Sequence, residues 1–406
     1  MNRIIIIISL SLVLLAGLSA CRKELPELNP SNKYIIADYN AVFNAFWNGM
    51  NNNYVFWDID TTNWDNMYKI YQPLFAQLNG LSADTAGPRV YSYFKAMTDG
   101  LIDGHYFANL PGGLGWYNMS LSPSYDQRRK EGRYHQNYPA LVSTVSNIYS
   151  SYLVPALSTW GWVSPAKGDT LAVLSGYIKP AKGQVDSIAY LRFNKFRLAQ
   201  QYSSPYIKAA LTNFFDHVKN KQTSGLIIDL RGNQGGYLAD MHFLVGNLIT
   251  EPLHWGYSKY KNGSGRLDYT PWIKNIVTPQ TGSVAFDKPI VVLIDGNTIS
   301  MGEMTTLALK ALPAGKTTII GERSWGGLGG LTDYDFPSYS GGMFTFGTGP
   351  YGKIYTPNGQ TCDLNKINYE GRGITPAIVV NNDSTSMTGI TDAPLDRAIA
   401  YLRSHP

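Results

Sequence analysis

The stretch KPIVVLIDGNTISMGEMTTLALKAL, residues 288–312, decides the fold predicted for this chain. Its first part, KPIVVLI, is typical of a fully buried strand, and its last part, EMTTLALKAL, has the apolar spacing of a helix. Ser300 therefore falls near a strand-to-helix junction. A serine there is commonly an N-cap, and this stretch alone favours that role. The other role is that of a nucleophile, because the helix dipole and the N–H of Met301 can stabilise a developing oxyanion.

Strands and helices alternate around this stretch. From Ser187 onward the chain contains, in order, SIAYLRFNKF, SPYIKAALTNFFDHVKN, GLIIDLRGN, LADMHFLVGNLI, KPIVVLIDG, SMGEMTTLALKAL and TTIIGE. This order and spacing predict an α/β layer built from βαβ units. Functional side chains are expected in the loops at the strand ends.

A glycine-rich loop follows a second apolar strand in GLIIDLRGNQGG, residues 225–236. Gly232, Gly235 and Gly236 allow backbone N–H groups to turn toward a ligand, as an anion or oxyanion site requires. A tight strand-to-helix turn uses the same residues, so the loop by itself leaves both interpretations open.

The composition limits the classes of partner. The 406-residue chain has a formal charge of +5, spread without a basic tract. No RRM, KH or zinc-knuckle pattern occurs either, so nucleic acid is not an expected partner. The 28 Tyr and 9 Trp residues favour large half-buried aromatic surfaces, with exposed sugar- or peptide-binding faces as the alternative.

The N-terminal sequence predicts export. MNRIIIIISLSLVLLAGLSA, residues 1–20, has a basic residue, an apolar run and small residues at its end, as a secretory signal peptide does. LSAC, residues 18–21, resembles the lipobox of bacterial lipoproteins. The resemblance implies a membrane anchor at Cys21 and a location in the bacterial cell envelope, facing the periplasm or the exterior. Lipidation of Cys21 would leave Cys362 without a partner for an intramolecular disulfide.

The predicted organisation has four parts after the signal peptide. Residues 21–38 form a polar tether. Residues 39–110 carry apolar side chains at helical spacing and predict a helical N-terminal domain. Residues 111–186 form an intermediate region without a recognisable module or a clear PDZ domain, so capture of C-terminal tails by β-augmentation is not supported. Residues 187–406 form the core domain.

Four motifs in order carry a family resemblance. They are LIDGHY at residues 101–106, GLIIDLRGNQGG, the stretch from PIVVLIDG to GERSWGG, and YEGRGITPAIVV at residues 369–380. Together they resemble the C-terminal processing, or tail-specific, serine peptidases and their tricorn-core relatives. The resemblance implies a crotonase- or ClpP-like ββα spiral for the core. It also implies a serine peptidase whose substrate is a peptide or an unfolded protein.

The resemblance assigns roles to residues of the two central motifs. Ser300 matches the family nucleophile, three residues before a family glutamate at Glu303. Met301, with Gly235 or Gly236, matches the oxyanion hole.

One family residue is missing. The tail-specific branch carries a lysine in a GExTxGKG-like stretch, and this chain has Gly327 there. A Ser–Lys dyad in that register is therefore not expected. Lys310 and Lys316 stand on the other side of the strand and are predicted to have surface roles.

The tricorn-like branch uses a histidine and a glutamate instead. His105 in LIDGHY matches that histidine, and Glu370 in NYEGRGITP matches the acid that orients it. His105 would take the proton of Ser300 and return it to the leaving amine, while Glu370 would fix its tautomer. Gly104 stands where tricorn itself has a serine.

Two other functions stay open. A non-catalytic lipoprotein could reuse the fold to bind a ligand or peptide, since the fold is similar to that of interphotoreceptor retinoid-binding proteins and the lysine is missing. The aromatic content also allows a glycan-binding accessory protein. No HExxH motif or Cys/His cluster occurs, and PAGKTT lacks the glycine that a P-loop needs at Lys310, so neither a metal nor a cofactor is expected. The oligomeric state is not predicted.

Overall fold

The computed structural model describes residues 38–110, 119–132, 134–135, 141–165, 170–183, 187–313, 316–331, 343–345, 353–383 and 390–405. The predicted signal peptide, Cys21 and all of the tether except its last residue lie outside these ranges. Within them, no helix has the length and apolar character needed to cross a membrane.

Three helices open the described chain: α1 (Tyr39–Asn53), α2 (Trp64–Leu78) and α3 (Ala83–Thr98). The first two begin at side-chain caps, since Asp38 accepts the N–H of Ala41 and Asn63 accepts that of Asn66. Their apolar faces meet in a core whose buried rings include Phe43, Phe46, Trp64, Phe75 and Phe94. Many of the aromatic side chains of this region therefore belong to the buried core.

A four-stranded antiparallel sheet joins this helical region to a late segment of the chain. Its order is β11 (Met343–Thr345), β12 (Lys353–Tyr355), β1 (Phe107–Leu110) and β2 (Met119–Leu121). Ile354 of β12 is buried in the same core as the three helices. Helix α4 (Pro123–Lys130) follows β2.

A seven-stranded sheet forms the centre of the molecule. Its order is β14 (Ile378–Val379), β10 (Thr317–Gly321), β9 (Ile290–Ile294), β6 (Gly225–Asp229), β5 (Ile188–Phe193), β4 (Leu171–Tyr177) and β3 (Thr159–Val163). The strands from β5 to β14 are parallel, whereas β4 and β3 add antiparallel pairs. The sheet thus takes in two strands from the intermediate region, so its edge does not coincide with the predicted boundary at residue 187. The βαβ units predicted after residue 187 pair their strands in parallel, so they did not predict the antiparallel pairs made by β3 and β4.

Helices cover both faces of this sheet. Helices α6 (Pro205–Lys219), α7 (Leu238–Gly246) and α8 (Met301–Lys310) share one core, and α5 (Leu141–Tyr152) and α9 (Ala393–Ser404) share the other. Leu226 and Ile228 of β6 point into the first core and Ile227 into the second. Burial on both faces explains why these strands are continuously apolar. The predicted α/β class with a helical N-terminal region is confirmed.

A third sheet has the order β13 (Gly359–Asp363), β7 (Leu253–Tyr260) and β8 (Ile273–Val277). Strand β7 packs on α8, and Cys362 of β13 is a buried free thiol. A short 3-10 helix, Pro155–Leu157, precedes β3. The parallel strands β5, β6, β9 and β10 all end at one edge of the central sheet, and the loops that leave this edge carry Ser300 and the predicted oxyanion hole.

Candidate active site

Ser300 occupies the N-cap position of α8, after the loop that leaves β9. Its φ of 59° lies in the left-handed region, where a residue with a side chain is held only by surrounding contacts. Here the Ser300 N–H donates to the carbonyl of Gly327 at 3.0 Å and to Oε2 of Glu303 at 3.2 Å. Because Ser300 is only half-buried, a substrate can reach it.

Glu303 holds the segment that faces Ser300. Its buried carboxylate accepts the N–H groups of Gly326 at 2.7 Å and Gly327 at 2.8 Å, and also the hydroxyl of Ser324. Burial raises the pKa of Glu303, and these donors act against that rise. The glutamate noted in the sequence is therefore the residue that orders the loop beside Ser300.

The glycine loop lies directly against Ser300. A Cβ placed on Gly235 would be 2.6 Å from Cβ of Ser300 and 3.0 Å from the nitrogen of Met301. The N–H of Gly235 donates to Oδ1 of Asn233 at 2.9 Å, which leaves Gly236 as the candidate donor of the predicted pair. Within the described residues, neither the Gly236 N–H nor the Met301 N–H has an acceptor.

His105 stands in the turn before β1. Its neighbour Gly104 is so close to the segment at Gly327 that a Cβ on Gly104 would be 2.5 Å from Cα of Gly327. The indole N–H of Trp325 donates to the carbonyl of Gly104 at 3.1 Å. Nδ1 of His105 is buried and has no hydrogen-bond partner among the described residues. Burial lowers the pKa of His105 to about 4, so the ring is neutral at pH 7 and able to accept a proton.

Glu370 and Asp103 form a buried carboxyl pair beside His105. One oxygen of each carboxyl and one ring nitrogen of His105 all lie within 4.8 Å of one another. Glu370 accepts the N–H groups of Gly104 and Leu328, each at 2.7 Å. Asp103 accepts the N–H of His105 at 2.7 Å. The backbone N–H groups of Gly104 and His105 are thereby bonded to the two acids that lie near the His105 ring.

The carboxyl pair retains a proton near neutral pH. Burial raises the pKa of Asp103 to about 7, against hydrogen bonds from Thr356 and from backbone amides. Burial and the neighbouring Asp103 raise the pKa of Glu370 well above its usual range. Two carboxyl groups at this separation do not readily ionise together. A negative charge on either carboxyl can stabilise a protonated His105.

The structure gathers the predicted residues into two groups joined by one segment. Ser300 and Met301 lie with the glycine loop, and His105 lies with Glu370. Gly327 connects the groups, since its carbonyl accepts the Ser300 N–H and its Cα touches Gly104. Among the described residues, no hydrogen bond joins the His105 ring to the Ser300 hydroxyl. Such bonds often form only once substrate binds.

Sequence reasoning missed Asp103. The residue stands in LIDGHY two positions before His105, in a stretch whose Leu101 and Tyr106 are buried in the structure. The available signal was an acidic residue within a largely apolar stretch. A carboxylate buried there requires partners, so Asp103 could have been proposed as part of the site.

A cation could also be bound here, because one ligand atom each of Asp103, His105 and Glu370 lies within 4.8 Å of the other two. The oxygens of both carboxyls already receive donors: the N–H groups of Gly104 and Leu328 on Glu370, and the N–H of His105 and the hydroxyl of Thr356 on Asp103. These donors suit a hydrogen-bonded carboxyl pair that acts on His105.

Gly327 is the residue that the family resemblance placed at the lysine position of the tail-specific branch. A Cβ at this position would lie 3.0 Å from the Ile299 side chain and 3.2 Å from Trp325. Lys310 is exposed at the far end of α8, about 14 Å from the helix start by the rise per residue. Lys316 is partly exposed, beyond that helix.

An ion-pair network fixes the start of the glycine loop. Asp229, at the end of β6, accepts from Arg192 of β5 at 2.6 Å and from Arg231 at 2.7 Å. Burial opposes ionisation of Asp229, but the two arginines outweigh it and lower its pKa below the usual range. Arg231 continues to Asp392, the N-cap of α9, at 2.7 Å. The loop is thus tied to strands and to a helix.

Residues 187–380 match Peptidase family S41. This region is therefore similar to a family of serine-type peptidases.

Curated relatives match parts of the same region. The carboxy-terminal-processing protease of Bartonella bacilliformis is 28% identical over 210 residues, which make up 50% of this chain and 41% of that protein. A candidate tricorn protease homologue of Streptomyces coelicolor is 32% identical over 107 residues, or 26% of this chain and 8% of that protein. The chain thus spans less than half the length of these relatives.

A solved structure shares the fold over a longer range. The structure of a candidate peptidase from Parabacteroides merdae covers 90% of this chain and 97% of its own, with a TM-score of 0.62 and 21% identity. The shared fold therefore extends beyond residues 187–380.

Proposed function

We propose that the protein is a serine peptidase that cleaves peptides or unfolded proteins through an acyl-enzyme on Ser300. The observation that carries this proposal is the placement of Ser300 at positive φ, next to the unpaired N–H of Met301 and against Gly235 of the glycine loop, whose next residue, Gly236, also has an unpaired N–H. A serine at positive φ near unpaired backbone N–H groups is suited to attack on a carbonyl group, because those N–H groups can bind the oxyanion that forms. A structural N-cap requires neither feature.

The proposed reaction uses these groups in order. Oγ of Ser300 attacks the carbonyl carbon of the peptide bond, and His105 takes the hydroxyl proton. The N–H groups of Gly236 and Met301 bind the oxyanion, while the charge on the Glu370 and Asp103 pair stabilises the imidazolium. The C–N bond breaks, and the amine leaves with the proton from His105. Water then attacks the ester with His105 as base, releasing the acid and restoring Ser300.

Labelling with an alkyl fluorophosphonate tests this proposal, because the probe reacts with an activated serine. The parent protein should be labelled, whereas Ser300→Ala and His105→Ala should not. Ser92→Ala alters an exposed serine on α3 and should keep full labelling. A folded parent that resists the probe would contradict the peptidase proposal. It would favour the alternative, a binding lipoprotein on the same fold.

The proposal includes attachment to a bacterial membrane through Cys21. The support is the signal-peptide pattern of residues 1–20 and the LSAC motif. Expression of the full chain in bacteria with labelled palmitate tests it. Cys21→Ala should abolish incorporation of the label, and Cys362→Ala, at the other cysteine, should not. Equal labelling of the parent and Cys21→Ala would contradict the anchor.

A further inference from the structure

A cavity of about 380 Å³ opens at the carboxyl edge of the central sheet, and Ile299, the residue before Ser300, belongs to its lining. It is formed by the ends of β5, β6 and β9 together with α4, α5 and residue 134 of the intermediate region. Its lining consists of Tyr125, Tyr134, Thr144, Arg192, Asn194, Arg231, Gly232, Gln234, Asn297, Ile299 and Trp325. Neither His105 nor Glu370 belongs to this lining, so the cavity is separate from the acid–base group.

The cavity adjoins both candidate oxyanion donors. Ile299 lies two residues before Met301, and Gln234 lies two residues before Gly236. A substrate carbonyl held by these two N–H groups therefore has its own side chain next to the cavity. Trp325 separates the cavity from the acid–base group, since its ring lines the cavity while its N–H bonds the carbonyl of Gly104.

One wall of the cavity is aromatic. The rings of Tyr125 and Tyr134 have centroids 4.7 Å apart, and Trp325 lies 5.5 Å from Tyr134 and 6.2 Å from Tyr125. Edge-to-face and tilted pairs of this kind leave ring faces and edges on which a further aromatic ring can pack.

The opposite wall is polar but charge-balanced. All five N–H donors of Arg231 are occupied, by Asp229, Asn382 and Asp392. Arg192 also donates to Asp229. Two arginines thus face two aspartates, and Arg231 has no donor left for an anion. This wall favours a neutral side chain over a charged one.

We propose that this cavity receives the side chain of the residue whose carbonyl Ser300 attacks, and that it selects a neutral aromatic side chain. The inference rests on the proposed peptidase function and adds the substrate class. The aromatic side chain packs on Tyr125, Tyr134 and Trp325. The opposite wall, formed by the Arg231 network, is charge-balanced and accepts phenyl and phenol groups equally.

Peptidyl diphenyl phosphonates test the preference, because they react at an activated serine and carry one chosen side chain. Four probes differ only in that side chain: benzyl, methyl, carboxyethyl or aminobutyl. Labelling by the benzyl probe should be at least about tenfold faster than labelling by the others. A fluorophosphonate without a side chain separates the two claims. If it labels Ser300 but the benzyl probe has no advantage, the pocket assignment is wrong and the peptidase proposal stands. If neither reagent labels Ser300, both fail.

A variant of the aromatic wall gives a second readout. Tyr125→Ala should slow labelling by the benzyl probe by about tenfold while changing the methyl-probe rate little. Tyr206→Ala removes an exposed tyrosine from α6 and should leave the ratio of the two rates at the parent value. An unchanged ratio in a folded Tyr125→Ala protein would overturn the assignment.

Discussion

Glycines surround Ser300 where side chains would collide with the site. A Cβ on Gly104 would come within 2.5 Å of Gly327, and one on Gly327 within 3.0 Å of Ile299. Gly104 and Gly327 are the two positions at which the family resemblance led us to expect a serine or a lysine in a related branch. The two glycines are in contact, so a side chain on Gly104 would push Gly327 out of its position.

Gly235→Ala should abolish reactivity of Ser300. The glycine has a φ of 79°, and a methyl group there would come within 2.6 Å of Cβ of Ser300. Displacement of Ser300 on this scale should slow fluorophosphonate labelling by about 100-fold or more. Gly282→Ala is the matched control, because Gly282 has a φ of 75° and open space around it. It should lose about 1 kcal/mol of stability and keep its labelling rate. Equal rates in the two variants would refute the steric argument.

Asp103→Asn should make stability less dependent on pH. The pKa of Asp103 is raised to about 7 in the folded protein, so its contribution to stability is full below pH 4 and is lost as pH rises through 7. Asparagine cannot ionise, and its amide can donate to the hydroxyl of Thr356. The melting temperature of the variant relative to the parent should therefore rise between pH 5 and pH 8, by an amount equivalent to a few kcal/mol at most.

The exposed Asp84→Asn is the control for this measurement and should follow the parent at both pH values. His105 contributes in the opposite direction, since its lowered pKa removes stability as pH falls from 6.5 toward 4. Because His105 is present in both proteins, its contribution cancels in the difference between Asp103→Asn and the parent from pH 5 to pH 8. A constant difference between Asp103→Asn and the parent would mean that Asp103 is ionised throughout.

At the scale of residues, the sequence supplied candidates but could not choose among their partners. Ser300 and His105 stand in short motifs, which is why they could be proposed. The choice of Gly236 over Gly235 depends on the hydrogen bond that the Gly235 N–H donates to Asn233, and no spacing rule predicts that bond. The pairing of Asp103 with Glu370 joins residues far apart in the chain, so local patterns do not reveal it.

Helix α4 fixes two of the loops that build the site. Arg128 is buried, and its guanidinium donates to the carbonyl of Trp325 and to that of Gly371, each at 2.7 Å. These carbonyls belong to the segment beside Ser300 and to the residue after Glu370. One side chain from the intermediate region therefore holds both segments in place.

Arg128→Met should destabilise the protein and slow its reaction. Both carbonyls would lose a charged donor inside the protein, at a cost of about 3 kcal/mol in the free energy of unfolding. Urea unfolding and the fluorophosphonate rate would report the two effects. Arg89→Met, at an exposed position of α3, should change neither. A stable Arg128→Met protein with the parent rate would show that α4 does not order the loops.

At the scale of elements, the periodicity of apolar residues predicted the strands and helices that local sequence determines. The strands and helices after Ser187 were identified because two-sided burial gives continuous apolar runs. The antiparallel strands β3 and β4 and the pairing of β1 with β12 were not, because those pairings depend on residues distant in sequence. The segment that supplies His105 is positioned by such long-range contacts.

For the whole molecule, the helical region must dock on the core for His105 to reach the site. The segment after α1 makes this contact. Asp60 accepts the N–H of Ile102 at 3.0 Å, and Asp58 accepts from Lys259 of β7 and from Gln360 of β13. Docking and catalysis are therefore coupled through residues far from Ser300.

A double-mutant cycle between Lys259 and Asp58 should measure that coupling. Lys259 is buried, and Lys259→Met would leave Asp58 at the interface without its cation. The four proteins Lys259→Met, Asp58→Asn, the double variant and the parent should give a coupling of about 2 kcal/mol in urea unfolding. The exposed pair of Lys288 and Asp287, 3.9 Å apart, is the control and should give about 0.5 kcal/mol or less. Both single variants at the docking contact should also slow labelling of Ser300, because His105 is carried by the docked region. Additive stabilities with unchanged labelling would show instead that the helical region is held to the core by its other contacts.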